Sequence, residues 1–175
     1  RIVQAINGQG GKAVGLSGKD ANLMICDPAD PALGFVGEPV AVDPSVLNNL
    51  FEDDMIPVVA PLGMGRAGET FNVNGDTAAG AIAAALAADR LLLLTDVAGV
   101  KNAAGDVVTA LTAAEVDAMT EEGVISGGMI PKIESAVSTI DMGLPKIHMI
   151  NGHTPHSLLL EIFTDRGVGT EIVNA

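Results

Sequence analysis

The sequence predicts an α/β fold organised around one βαβ unit at residues 71–100. A short strand and a polar turn lead into a helix of mostly Ala, Gly and Ile over residues 77–88, and a fully apolar strand follows. The run 91–94 shows no polar alternation, which favours a central, parallel strand covered on both faces. The small helix side chains would let this helix lie close to a sheet.

Polar side chains are confined to the two junctions of this unit. They are Asn72, Asn74, Gly75 and Asp76 before the helix, and Thr95 and Asp96 at the end of the apolar strand. In open parallel sheets, ligands bind outside the carboxyl ends of the strands. We therefore expect both junctions to face a ligand site.

Composition excludes several classes of function. A net charge of −13 argues against binding nucleic acid or an anionic membrane through the general surface. Cys26 is the single cysteine, so no disulfide forms within one chain, which fits the cytoplasm. No apolar run has the length of a membrane span, and no signal peptide is visible. The chain starts inside an element at Arg1, and we expect an N-terminal part to precede it.

The first half of the chain reads as alternating strands and helices. Two phosphate-binding motifs fail here, because Ala13 and Asp20 stand where a dinucleotide fingerprint or a P-loop needs other residues. The predicted elements are a helix over 1–6, strands over 12–16, 22–26 and 35–42 with the last two as a hairpin, a helix from Asp43 and Pro44, and a buried strand over 56–60.

The second half continues the pattern. Thr112 and Glu115 form a predicted capping box for a helix that ends at Gly123. Strands are predicted over 146–150 and 169–173. Between them, a helix starting at Thr154 is expected to bury Leu158, Leu159, Ile162 and Phe163. The spacing of His148, His153 and His156 matches no metal motif, and no metal site is predicted.

The segment GGMIPKIESAV places Lys132 in the first turn of a helix opened by Pro131. A cation there opposes the helix dipole, at a cost of about 0.3–1 kcal/mol when exposed. One interpretation is that Lys132 is solvated and offset by Glu134. The other is that backbone amides and Lys132 together hold a phosphate, which removes the cost.

Taken together, these segments resemble the acetylglutamate kinases of the amino acid kinase family. The resemblance is continuous through AVGLSGKD, IPVVAPLG, NVNGDTAAGAIAAAL, LLLLTDVAGV, GGMIPKIE, PHSLLLEIFT and GVGT. It implies a three-layer αβα sandwich with a mainly parallel open sheet. Residues 1–75 would belong to the acyl-amino-acid lobe, and residues 76–175 would form the nucleotide lobe. The related carrier-linked aminoadipate kinases are the nearest alternative.

The resemblance also implies roles for individual residues. Asn72 matches the first Asn of the family's N-V-N-A-D motif and would contact N-acetyl-L-glutamate together with Asn74. Asp76 would organise the active-site lysines, and Lys132 would stabilise the transition state. Thr95, Asp96 and the loop of Gly127, Gly128 and Met129 would bind ATP, used with Mg²⁺. The residues alone leave Asp76 open as a simple N-cap and Asp96 open as a turn residue.

Several family features would precede Arg1, namely a strand with Lys and Gly-Gly, a second Gly-Gly loop and a substrate-binding Arg. The resemblance therefore implies that the intact protein is a kinase of arginine biosynthesis, and that residues 1–175 alone are inactive. The alternative is a nucleotide-binding module without catalysis.

The C-terminal segment resembles that of arginine-inhibited members. This resemblance implies that the intact protein is a homo-oligomer, a dimer or a hexamer, with arginine as a possible effector. An arginine site needs an acidic group and backbone donors, for which Glu161 and Gly169 are candidates. The alternative is that the apolar side chains only pack this helix on the sheet while Glu161 faces water.

Overall fold

The computed structural model describes residues 1–164 and 167–174. The chain divides into two compact units, Arg1–Leu86 and Ala87–Ala175. Each unit combines helices with parallel strand pairs, which confirms the predicted α/β class. In the part of the chain that the structure describes, no helix is long and apolar enough to cross a membrane.

The first unit contains three helices and six strands. They are α1 (Ile2–Gly8), β1 (Ala13–Ser17), β2 (Met24–Pro28), β3 (Gly37–Val42), α2 (Ser45–Glu52), β4 (Ile56–Ala60), β5 (Leu62–Gly65), β6 (Thr70–Asn72) and α3 (Gly75–Ala85). The second unit contains β7 (Leu91–Thr95), β8 (Ala110–Thr112), α4 (Ala113–Glu121), α5 (Ile130–Asp141), β9 (Lys146–Asn151), α6 (Ser157–Phe163) and β10 (Thr170–Val173).

Two sheets form the first unit. β1 and β4 pair in parallel, and the other four strands lie in the order β3-β2-β5-β6. β2 and β3 are antiparallel, which confirms the predicted hairpin. The helix α3 packs its small residues on this sheet, where Ala78 joins a core of Met24, Cys26, Phe71 and Val73. The prediction that β4 is buried is wrong, since Ile56 is 46% exposed and β1 is the partner of β4 within the described residues.

One sheet, ordered β7-β9-β10-β8, forms the second unit. β7 pairs in parallel with β9, as predicted. It nevertheless lies at the edge of the sheet, and Leu94 is 51% exposed, so the prediction of a central strand covered on both faces is wrong. The predicted βαβ unit at residues 71–100 is also wrong, because β6 and β7 belong to different sheets in different units. The doubly covered strand is β9, where Ile147, Met149 and Ile150 are fully buried.

The helix α6 buries the face opposite to the one predicted. It begins at Ser157, after His156 in a left-handed conformation, rather than at Thr154. Ser157 and Glu161 are its buried residues. The four side chains predicted to be buried are exposed, namely Leu158, Leu159, Ile162 and Phe163. The physical reason is that the strand beneath offers a polar partner to Glu161.

Candidate functional site

Asn74 caps the helix α3 in the first unit. Its Oδ1 accepts hydrogen bonds from the backbone N–H groups of Asp76, at 2.9 Å, and Thr77, at 3.2 Å. Asp76 lies in the first turn of the helix, where a carboxylate is favoured by the helix dipole. The interpretation of Asp76 as the N-cap is therefore wrong. Because the Asn74 oxygen serves the helix, any ligand contact of Asn74 must come from its amide NH₂ group.

Asn72 is held rigidly at the end of β6. Its backbone N–H donates to the Phe35 carbonyl at 2.8 Å, and Leu62 lies opposite it on β5. Phe71 is buried in the core, so Asn72 and Thr70 project from the other, exposed face of the strand. The first unit thus presents the Asn72 side chain from a fixed backbone.

Thr95 is the last residue of β7 in the second unit and Asp96 follows it, and the two have different surroundings. Thr95 is buried, and its Oγ1 accepts a hydrogen bond from the Val97 backbone N–H at 2.9 Å. Its hydroxyl therefore shapes the turn after the strand. Asp96 is exposed at that turn. The side chain of Asp96 is therefore better placed than that of Thr95 to contact solvent or a ligand.

The loop after β7 and the segment before α5 line one cavity of about 190 Å³. The lining residues are Val97, Gly99, Val100, Lys101, Val124, Ile125, Ser126 and Met129. Met129 is thereby brought to the loop that follows Thr95 and Asp96. Sequence reasoning missed Lys101 and Ser126, a cation and a hydroxyl on a cavity with otherwise apolar walls. The signal available was Lys101 directly after the apolar run 97–100 that follows β7.

Residues Gly127–Met129 form a single 3₁₀ turn that leads directly into α5. Pro131 and Lys132 are the second and third residues of α5, as the sequence predicts. Met129 precedes the helix, and among the described residues no side-chain hydrogen bond from it caps the first turn. The helix start thus combines backbone N–H donors with the half-buried Lys132.

A second polar cluster surrounds Glu161, whose Oε1 lies 2.5 Å from His148 Nδ1. Its Oε2 accepts a hydrogen bond from the Val168 backbone N–H at 2.7 Å. A Cβ at Gly167 would lie 2.8 Å from that oxygen, and Gly167 has a positive φ of +59°. The glycine-rich turn thus lets the backbone close over the Glu161 carboxylate.

The Glu161 cluster opens into a cavity of about 220 Å³. Two cations, Arg90 and Lys146, and two carboxylates, Glu161 and Glu171, line it with Gly169 and others. His148 Nε2 is buried and has no hydrogen-bond partner within the described part of the chain. Over that same part, no group of three or more His, Cys, Asp and Glu side chains could hold a metal ion.

The pKa of Glu161 lies below its ordinary value of 4.5. Burial raises this pKa, but the Val168 N–H, the His148 ring and the Gly169 N–H all favour the ionised form and outweigh it. A depressed carboxyl pKa stabilises the folded state above about pH 4.5, and this contribution is lost as the pH falls through the lower, folded-state pKa.

We therefore expect Glu161→Gln to flatten the loss of stability on acidification below pH 4.5. The glutamine has no carboxyl proton to take up, so this contribution to the pH dependence disappears. Urea unfolding midpoints measured for both proteins from pH 6 to pH 3 test it. Parallel curves for the two proteins would contradict the assigned role of the carboxylate.

Comparison with known proteins places this α/β fold in a family. Residues 1–151 match the amino acid kinase family, and the chain therefore belongs to it. The resemblance inferred from the sequence motifs is confirmed.

Individual proteins are similar over nearly the whole chain. An acetylglutamate kinase of Jannaschia sp. (strain CCS1) is 68% identical over 98% of this chain, and the chain spans 60% of that relative's length. The solved Streptococcus mutans UA159 protein smu.665 is 30% identical, with a TM-score of 0.82, 98% of this chain covered and 65% of that one. Neisseria gonorrhoeae N-acetylglutamate synthase, solved with coenzyme A and N-acetyl-glutamate, is 27% identical with a TM-score of 0.86, covering 98% and 40% of the two chains.

Proposed function

We propose that the protein is an ATP-dependent kinase that phosphorylates the side-chain carboxylate of N-acetyl-L-glutamate in arginine biosynthesis. The observation that carries this proposal is the 68% identity to an acetylglutamate kinase over 98% of the chain. The geometry of each unit is consistent with it, because the predicted residues lie at strand ends and at helix starts. The product would be N-acetyl-L-glutamyl 5-phosphate.

The nucleotide would bind in the second unit. The cavity lined by Val97, Lys101 and Met129 is partly apolar, which suits a base and sugar. The start of α5 would direct its N–H groups and Lys132 at the phosphates. Asp96 directly precedes Val97 of this cavity, and Gly127 begins the 3₁₀ turn that leads into α5. Mg²⁺ would enter bound to the ATP phosphates as part of that substrate, and it would neutralise part of their charge.

The reaction needs little covalent chemistry from the protein. The substrate carboxylate is already ionised at neutral pH, so its attack on the γ-phosphorus requires no general base. A carboxylate oxygen forms the new bond to phosphorus, the bond to the β–γ bridging oxygen breaks, and ADP leaves with those electrons. The residues of this chain would position the two anions and stabilise charge on the transferring group. Asn72 would hold the acyl amino acid, and Asp76 would orient lysine ammonium groups by charge.

Acyl phosphate trapping with hydroxylamine tests the proposal on the protein as encoded. With ATP and N-acetyl-L-glutamate we expect hydroxamate to form, and none with free aminoadipate or carbamate. Hydroxamate formation only with carrier-linked aminoadipate would favour the related kinase. ATP binding without hydroxamate from any acceptor would favour the nucleotide-binding module. Residues 1–175 alone are expected to give no hydroxamate.

Arginine is proposed as an inhibitor that binds the cavity beside Glu161. Arginine carries a guanidinium, an ammonium and a carboxylate, and the cavity offers carboxylates at Glu161 and Glu171 and cations at Arg90 and Lys146. The burial of Glu161 against His148 contradicts the alternative in which Glu161 faces water. A homo-oligomer, either a dimer or a hexamer, is the assembly we propose for the complete protein.

Arginine titration of the kinase activity tests this site. We expect inhibition at millimolar arginine or below, and a weaker response in Glu161→Gln, since the variant loses the charge that would face the guanidinium. Lys12→Ala, at the exposed start of β1 in the other unit, is the control and should keep the response. No inhibition, or equal inhibition of both proteins, would remove the proposed role of Glu161.

A further inference from the structure

Lys19 lies in the loop between β1 and β2 and reaches the strand β6. Its Nζ donates a hydrogen bond to Thr70 Oγ1 at 2.5 Å, and the side chain is half-buried. The two residues are 51 positions apart in the chain. The contact therefore fixes the ammonium against one particular strand of the first unit.

Backbone contacts hold the loop that carries Lys19. The Met24 N–H donates to the Gly18 carbonyl at 2.6 Å, and a Cβ at Gly18 would lie 2.5 Å from the Leu62 carbonyl oxygen. The Asp20 carboxylate accepts hydrogen bonds from the Ser17 N–H and hydroxyl, at 2.7 and 2.9 Å. The nearest acidic neighbour in sequence is thus engaged with Ser17, while Lys19 points to β6.

Lys19 lies on the same face of β6 as Asn72. Side chains alternate along a strand, and Phe71 is buried, so Thr70 and Asn72 share the exposed face. Two residues along a strand span about 7 Å. The ammonium held by Thr70 is therefore about one pleat away from the Asn72 side chain.

The cations of the first unit are few, and they have different surroundings. They are Arg1, Lys12, Lys19 and Arg66. Arg66 forms a two-pronged pair with Asp27, at 2.8 and 3.3 Å. Lys19 differs, because its hydrogen bond within the described residues goes to a neutral hydroxyl. A hydroxyl positions an ammonium without cancelling its charge. The Asp20 carboxylate, whose pKa is lowered by the Ser17 hydrogen bonds and also by the Lys19 charge, offsets part of that charge, and the remainder is available to an anion.

We propose that Lys19 is a substrate-binding residue that contacts the carboxylate of the acyl amino acid that does not react. This inference rests on the proposed function, in which Asn72 contacts the same substrate. N-acetyl-L-glutamate carries two carboxylates, and only the side-chain one accepts phosphate. In a chain with a net charge of −13, the second carboxylate needs a local cation to bind. Lys19 supplies a cation on the face of Asn72, in addition to the substrate-binding Arg that the family resemblance implies, and it thereby favours acceptors with a free α-carboxylate.

The test compares Lys19→Met with the unmodified protein, as encoded, on two acceptors. They are N-acetyl-L-glutamate and its α-carboxamide analogue, which lacks the charge that Lys19 would meet. We expect the variant to raise KM for N-acetyl-L-glutamate about tenfold or more, as for loss of a charge-assisted hydrogen bond. Its kcat and its KM for ATP should stay within about twofold, because uniform binding is what is lost. On the α-carboxamide, the two proteins should have equal kcat/KM.

Two further variants keep the test decisive. Lys19→Arg retains the charge and should recover part of the affinity, even if Lys19→Met folds poorly. Arg66→Met removes another exposed cation of the same unit and should leave both acceptors unaffected. Equal losses on both acceptors, or an unchanged KM for N-acetyl-L-glutamate, would overturn the role of Lys19 alone. No hydroxamate from the unmodified protein would overturn the proposed function, and this inference with it.

Discussion

Lys132→Ala is expected to lower kcat about a hundredfold or more, with much smaller changes in KM for ATP and for the acceptor. Lys132 is the third residue of α5, directly after the 3₁₀ turn at Gly127–Met129. A cation at the start of a helix is unfavourable in itself, and an anion at the same place removes the penalty. Its charge should matter most when negative charge spreads over the transferring phosphoryl oxygens.

Steady-state kinetics in the hydroxamate assay, with each substrate varied in turn, measures this split. Lys12→Ala serves as the control, because it removes one exposed cation of the first unit and leaves the residues of α5 unchanged. Lys132→Arg keeps the positive charge but moves it. Partial recovery of kcat in this variant would indicate that the charge of Lys132 contributes more to turnover than its exact position. Unchanged turnover in Lys132→Ala would favour the other interpretation, in which Lys132 has no catalytic role and its charge is balanced by Glu134.

Asp76→Asn is the second change with a large expected effect, again a loss of about a hundredfold or more in kcat. Asn74 caps α3 in either protein, so the start of the helix keeps its hydrogen bonds. What the amide removes is the negative charge that would hold lysine ammonium groups in the active site. The variant should therefore lose turnover while its free energy of unfolding falls by only about 0.3–0.5 kcal/mol, because the charge that the helix dipole favours is lost.

Asn74→Ala gives the matched comparison for Asp76→Asn. It removes the cap and should lower the free energy of unfolding by about 1 kcal/mol. Measuring both quantities for both variants separates a structural from a functional role at this junction. Full activity in Asp76→Asn, or a fall in its stability as large as that of Asn74→Ala, would contradict the proposed role of the carboxylate.

Local sequence signals predicted local structure well. The capping box of Thr112 and Glu115 is present, with Thr112 accepting from the Glu115 N–H and Glu115 accepting from the Thr112 N–H. The β2–β3 hairpin and the start of α5 are also as predicted. These features depend on residues within a few positions of one another, so the sequence contains what decides them.

Burial was predicted less well, because it depends on distant partners. The run 91–94 is as apolar as any buried strand, yet β7 lies at the sheet edge, and β9 with its polar His148 is covered. Helical spacing in α6 identifies an apolar face correctly, but it cannot say which face meets the sheet. That is decided by the pairing of Glu161 with His148, 13 residues apart in the chain. A buried hydrogen-bonded pair across two elements leaves no periodic signal.

The sequence predicted where the candidate site residues lie better than it predicted what their side chains contact. Asn74 and Thr95 are at the expected junctions, but their side-chain oxygens serve the α3 cap and the turn after β7. Sequence position alone could not distinguish these duties from ligand binding. Lys19 was not singled out, since its partner Thr70 is brought close only by the fold.

In the proposed reaction, a carboxylate oxygen of N-acetyl-L-glutamate attacks the γ-phosphorus of ATP. Substrate labelled with ¹⁸O in the side-chain carboxylate tests this step. Hydroxylamine attacks the acyl carbon of the product and releases phosphate that keeps the bridging oxygen. We predict that mass spectrometry of this phosphate shows one ¹⁸O atom for each hydroxamate formed. Phosphate released without ¹⁸O would mean that an oxygen of water or of the α-carboxylate is the acceptor, and it would contradict the proposed reaction.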